Sequence, residues 1–119
     1  MARILIAEDE GAVRTFLIRA MESQDHEVVA VADGVQALGA LQDGEFDLLL
    51  SDIVMPELDG IALALKVSRD WPDLPIVLIT GFAKERQRAH NLESLVHSVV
   101  AKPFDLEQIC GVVDAALNG

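Results

Sequence analysis

Short apolar runs recur along the chain: Ile4-Leu5-Ile6-Ala7, Glu27 to Val31, Leu48-Leu49-Leu50-Ser51, Ile76-Val77-Leu78-Ile79 and Val99-Val100-Ala101. Runs this continuous, without strict apolar–polar alternation, predict strands covered on both faces. Between them, apolar residues repeat at helical spacing. Val13, Phe16, Leu17, Ala20 and Met21 predict a first helix, and Ala37, Leu38 and Leu41 a second. Ile61, Ala64 and Leu65 predict a third, and Leu106, Ile109, Cys110, Val113, Ala116 and Leu117 the last, with Asp105 as its cap. Asp33-Gly34, Asp43-Gly44 and Asp59-Gly60 punctuate the helices, and Trp71-Pro72-Asp73-Leu74-Pro75 stops the third, because proline breaks a helix. Residues 83–96 are the weakest stretch. Lys84 to Asn91 is polar, and Leu92, Leu95 and Val96 give one short helical face.

Strict alternation of strand and helix predicts an α/β fold, a doubly wound five-stranded parallel sheet with helices on both faces. Right-handed crossovers and the order 2-1-3-4-5 give a flavodoxin-like three-layer sandwich with a switch point between strands 1 and 3. The 119 residues make one domain, 1–119, large enough to bury a proper core without staples.

The polar residues that end the strands carry the chemistry. Strand 1 delivers Glu8 and Asp9, strand 3 Asp52, strand 4 Thr80 and strand 5 Lys102. All stand at the carboxyl edge of one sheet, where open α/β folds hold their ligands. Taken singly, each has a plain explanation. Glu8 and Asp9 suit the positive end of a helix, while Thr80-Gly81, Lys102-Pro103 and Met55-Pro56 suit turns. Taken jointly, they describe a site. Crowded carboxylates repel unless a cation sits among them, and a hard divalent ion, Mg²⁺ first, suits oxygen ligands. Asp52 is the nucleophile for an acyl phosphate. Lys102 offers a fixed charge to the phosphoryl oxygens and Thr80 a hydroxyl.

Charge and cysteine content narrow the partners. With 20 acidic and 9 basic residues the net charge is −11, which argues against nucleic acid and against an anionic membrane surface. The composition, 51% hydrophobic and 24% charged, is that of a globular protein. One cysteine excludes an internal disulfide, and Cys110 falls on an apolar helical stripe as a core thiol. No run approaches membrane-spanning length and no signal peptide precedes the first strand, so a cytoplasmic protein is expected.

The acidic pair, the central Asp, Met-Pro, Asp-Gly, Thr-Gly and Lys-Pro-Phe, in this order, resemble a response-regulator receiver domain of the CheY-like kind along the whole chain. The resemblance implies that Asp9, Asp52 and the backbone carbonyl of Val54 hold Mg²⁺, with Glu8 acting through water. It implies a phosphohistidine donor on a histidine kinase or a histidine phosphotransfer protein, and a cis Lys102–Pro103 bond. It describes a signalling domain rather than an enzyme. No output domain follows the last helix, so a stand-alone receiver acting by protein–protein contact is expected. Met1-Ala2-Arg3-Ile4-Leu5, Asp47 to Pro56 and Ile79-Thr80-Gly81-Phe82-Ala83 resemble the CpdR-type cell-cycle regulators of alphaproteobacteria. That narrower likeness implies control of the ClpXP protease.

Departures from the family pattern set further expectations. Receivers carry an aromatic residue three before the lysine, and here that position is Val99. The loop from Gly81 to Ala83, with Phe82, is expected to carry the switch instead. Val54 and Phe82 flank the water path to the acyl phosphate, and neither orients a water. Slow self-dephosphorylation follows. Lys84, Arg86 and Arg88, beside His90, form one basic cluster, read as a solvated face or a docking surface. His26 and His97 have no partners at metal spacing. Three rival readings fit less well. A Mg²⁺-dependent phosphohydrolase wants an acid where Val54 stands. A phosphate-independent pseudo-receiver would not need the full set of site residues. A flavin-binding protein wants a hydroxyl- and Gly-rich loop in place of Glu8-Asp9-Glu10.

Overall fold

Apolar side chains on both faces of every strand need cover on both sides, and the helices supply it. The computed structural model describes residues 1–81, 87–89 and 94–119. Strands β1 (Arg3–Ala7), β2 (Glu27–Val31), β3 (Leu48–Asp52), β4 (Ile76–Thr80) and β5 (Ser98–Ala101) pair in parallel in the order β2-β1-β3-β4-β5. This is the expected doubly wound order. Helices α1 (Gly11–Ser23), α2 (Gly34–Asp43), α3 (Gly60–Asp70) and α4 (Leu106–Asn118) flank the sheet. Residues 87–89 are helical too, within the stretch expected to form a helix. The rest of that expectation, Lys84 and Leu92 included, lies outside the described residues.

Alternation along each strand divides the core into two layers. On one face Leu5, Ala7, Leu49 and Leu78 pack with Leu41 of α2 and with Leu63, Ala64 and Val67 of α3. On the other, Ile4, Ile6, Leu48, Leu50 and Ile79 pack with Leu17 and Met21 of α1 and with Ile109 and Val113 of α4. β3 is central and buries all five residues, whereas β2, at an edge, buries none fully. Asp52 therefore leaves the sheet from one of its two fully buried strands, β4 being the other.

Three helices begin on an aspartate whose side chain takes an otherwise unpaired backbone N–H. Asp33 accepts from Gln36 N, Asp59 from Ala62 N and Asp105 from Gln108 N, the last at 2.7 Å. Asp105→Ala is expected to lower stability by about 1 kcal/mol, measured as a shift of the urea midpoint at unchanged slope. α1 begins differently. Glu10 makes no side-chain cap, and Glu8 Oε2 accepts the Glu10 N–H at 3.1 Å.

Three residues expected to face inward do not. Leu65 is 47% exposed, because the buried stripe of α3 runs through Gly60, Leu63, Ala64 and Val67. Leu106 is 48% exposed at the first turn of α4, before the helix reaches the sheet. Phe16 is 38% exposed and packs its ring against Phe104, centroids 5.9 Å apart. Cys110 is half-buried, packed against the α1–α4 core layer rather than within it. Its Sγ contacts the Ala20 carbonyl of α1 at 3.7 Å, and burial pushes its pKa up.

At the amino-terminal rim of the sheet, a cavity of about 830 Å³ is lined by both chain ends. Met1, Ala2, Asn118 and Gly119 all line it, with His26 and His97. His26 Nδ1 accepts the Ala2 N–H at 3.0 Å, so this histidine holds backbone. No described helix is long and apolar enough to cross a membrane.

Candidate functional site

At the opposite rim, the ladder of the sheet continues one residue past the strands. Glu8 N donates to Val31 O (3.0 Å), Ile53 N to Ile79 O (2.9 Å) and Lys102 N to Thr80 O (2.8 Å). These bonds fix where each strand-end side chain starts. The Lys102–Pro103 peptide bond is cis, as expected.

Four of the expected site residues come together. Lys102 Nζ lies 3.1 Å from Asp52 Oδ2 and 3.6 Å from Glu8 Oε1. Carboxylate oxygens of Glu8, Asp9 and Asp52 lie within 4.8 Å of one another. Glu8 and Asp52 are buried, and Asp9 is exposed. Thr80 is buried at the end of β4, one residue past Ile79, which pairs with Asp52 in the β3–β4 ladder. The Val54 side chain is 46% exposed just beyond the phosphoacceptor candidate. Phe82, Lys84, Arg86 and His90 lie outside the described residues. Arg88, the remaining member of the basic cluster, is ion-paired with Asp59 at 3.1 Å.

Among the described residues, three clustered carboxylates share one ammonium in a half-buried recess, an excess of acid over base. Burial, and next to it the charge of Asp52, push Glu8 up to about 7, against the pull of the Glu10 amide and the Lys102 charge. Burial pulls Lys102 down, but its hydrogen bond to Asp52 and the nearby carboxylates outweigh that, so its pKa is raised. Glu8 Oε1 is buried with no hydrogen-bond partner. An all-oxygen donor set, excess negative charge and an unmatched buried oxygen fit a hard divalent cation.

The loop after β3 is shaped by features the sequence did not flag. Glu57 adopts the left-handed region (φ 67), where a non-glycine residue costs about 1 kcal/mol, and Leu58 N closes a tight turn onto Pro56 O at 2.8 Å. Gly60 donates to Ile53 O at 2.8 Å, and a Cβ there would collide with the Asp52 carbonyl. Gly60 thus holds the backbone of Asp52 from behind. The Asp59-Gly60 pair looked like ordinary turn chemistry, and only the fold reveals the close approach. Arg14 was missed as well. Its Nη1 donates to the carbonyls of Glu8 (2.9 Å) and Asp9 (3.4 Å).

Residues 4–114 match the response regulator receiver domain. The chain belongs to that family. This receiver is 40% identical over 117 residues to the response regulator receiver protein CpdR of Brucella abortus (strain 2308), covering 98% of both chains. It is 34% identical to the sensor kinase CckA of the same strain, where the match covers 98% of this chain and 13% of CckA. Among solved structures, the response regulator TrrA from Thermotoga maritima, in complex with Mg²⁺-BeF, superposes with a TM-score of 0.88 at 26% identity, covering 98% of this chain and 99% of that one. The receiver is therefore a two-component response-regulator domain similar to CpdR, on the CheY-like fold.

Proposed function

We propose that this receiver accepts a phosphoryl group on Asp52 and serves as a Mg²⁺-dependent switch in a phosphorelay. The observation that carries the reading is the Lys102 ammonium 3.1 Å from Asp52 Oδ2, with two further carboxylates beside it. Asp9, Asp52 and the backbone carbonyl of Val54 would hold the ion, with Glu8 acting through water. When bound, Mg²⁺ neutralises charge on the transferring phosphoryl oxygens.

The chain's own residues do the rest. An Asp52 carboxylate oxygen attacks phosphorus, the P–N bond to the donor's histidine breaks, and the imidazole leaves with the electron pair. Lys102 follows the charge onto the phosphoryl oxygens, and the Thr80 hydroxyl donates to one of them. Val99 is a half-buried aliphatic residue that packs with the α2–α3 layer, so that position offers no aromatic ring to couple to Thr80. The donor is a histidine kinase or a histidine phosphotransfer protein. The domain signals by contact rather than by turning over a substrate. The likeness to CpdR supports a finer reading: a cytoplasmic regulator whose unphosphorylated form promotes ClpXP-dependent proteolysis in the cell cycle.

Incubation with Mg²⁺ and a small phosphodonor tests the central claim. An acid-stable, hydroxylamine-labile adduct is expected on the protein, lost when Mg²⁺ is chelated. No adduct, or one independent of divalent ion, would overturn it.

The apolar Val54 side chain at the mouth makes hydrolysis slow. After donor removal the adduct should persist for many minutes, and Val54→Asn, which can orient a water, should shorten its life roughly tenfold. Decay of the unmodified protein within seconds would count against this.

A further inference from the structure

We propose that Arg14 is a positioning residue that fixes the Glu8–Asp9 backbone for divalent-cation binding; this rests on the Mg²⁺ reading above. The sheet register with β2 ends at the pair Ala7↔Val31. The chain then makes the turn that carries two of the three clustered carboxylates. Arg14 sits one turn into α1, half-buried, with its backbone N–H on Glu10 O at 2.9 Å. From there its guanidinium reaches back, and a single nitrogen, Nη1, donates to Glu8 O and Asp9 O. The contact ties the first turn of α1 to the backbone on which both acids ride. Glu10 gives α1 no side-chain cap, so this turn relies on Arg14 and on the Glu8 Oε2 bond to Glu10 N. A donor fixed on a backbone carbonyl orients the neighbouring ligand side chains without touching the ion.

Two effects of Arg14 have opposite signs, which makes the inference testable. As a nearby positive charge, Arg14 repels a divalent cation, so its removal should tighten binding. As a clamp on the two carbonyls, it favours binding, so its removal should weaken it. The experiment is calorimetric titration of Mg²⁺ into the intact protein and its Arg14→Met and Arg14→Lys variants. It is paired with hydrogen exchange of the Glu10 amide in chelator. Arg14→Met keeps the aliphatic stem and loses the donor. It is expected to weaken Mg²⁺ binding about tenfold and to speed Glu10 exchange in the metal-free protein by roughly the same factor. Arg14→Lys restores a donor and should recover most of both. Unchanged or tighter binding by Arg14→Met would overturn the proposal, as would a lysine variant no better than the methionine one. If the unmodified protein binds no Mg²⁺, the metal reading fails as well. If it binds Mg²⁺ and Arg14→Met binds equally, only the role of Arg14 fails.

Discussion

Asp52→Asn should abolish labelling by a small phosphodonor, by a hundredfold or more on an order-of-magnitude scale, while the protein stays folded. The amide is nearly isosteric but lacks the carboxylate that attacks phosphorus. Burial alone would make such a substitution look hazardous, since Asp52 is 5% exposed and bonded to Lys102. The local electrostatics point the other way. Asp52 is one of the charges that push Glu8 up, so neutralising it relieves a repulsion, and Lys102 still has Glu8 at 3.6 Å. The expected result is a protein with near-normal circular dichroism and no hydroxylamine-labile adduct by mass spectrometry. Full labelling of Asp52→Asn, with phosphate on another carboxylate, would move the acceptor elsewhere.

Stability of the metal-free protein should fall as pH rises from the acid range to neutrality, and Glu8 should be the cause. Its carboxyl titrates at about 7 in the fold against an ordinary 4.5, so the folded state holds the proton more tightly than the unfolded chain. Stabilisation from the protonated form is complete below the ordinary value and is lost as pH rises through about 7. A rise from 4.5 to about 7 corresponds to an upper figure of about 3 kcal/mol. Urea unfolding in chelator across that window should show the decline, and Glu8→Gln should flatten it, because the amide has no proton to lose. Mg²⁺ should restore stability at neutral pH by supplying the missing positive charge. A Glu8→Gln variant with the same pH slope as the unmodified protein would remove Glu8 as the source.

Much of this architecture is legible in the sequence because the central strands are continuous apolar runs. Leu48 to Leu50 has only one way to be buried, between two helical layers, and that placement sends Asp52 to the rim. Glu8, Asp9 and Lys102 reach the same rim by the same logic, each as a polar residue just past the end of a strand, although β5, before Lys102, is an edge strand buried at one position only. The misjudged positions are those where a helix face is decided by its neighbours. Leu65 lies just off the stripe through Leu63, Ala64 and Val67. Phe16 is turned out far enough to find Phe104 rather than the sheet. Gly60 and Arg14 act through close approach to backbone, of the Asp52 carbonyl in one case and the Glu8 and Asp9 carbonyls in the other. Pattern and propensity report which side chains are buried. They do not report which carbonyl a side chain will meet.

Met1 and Gly119 line one recess on the rim away from Asp52 and Lys102, and this sets how the domain can be handled. A fluorophore, bead or fused protein attached at either terminus leaves from the rear of the molecule. Tethering geometry and phosphoryl chemistry are thus independent variables, and immobilised protein should take up label as readily as protein free in solution.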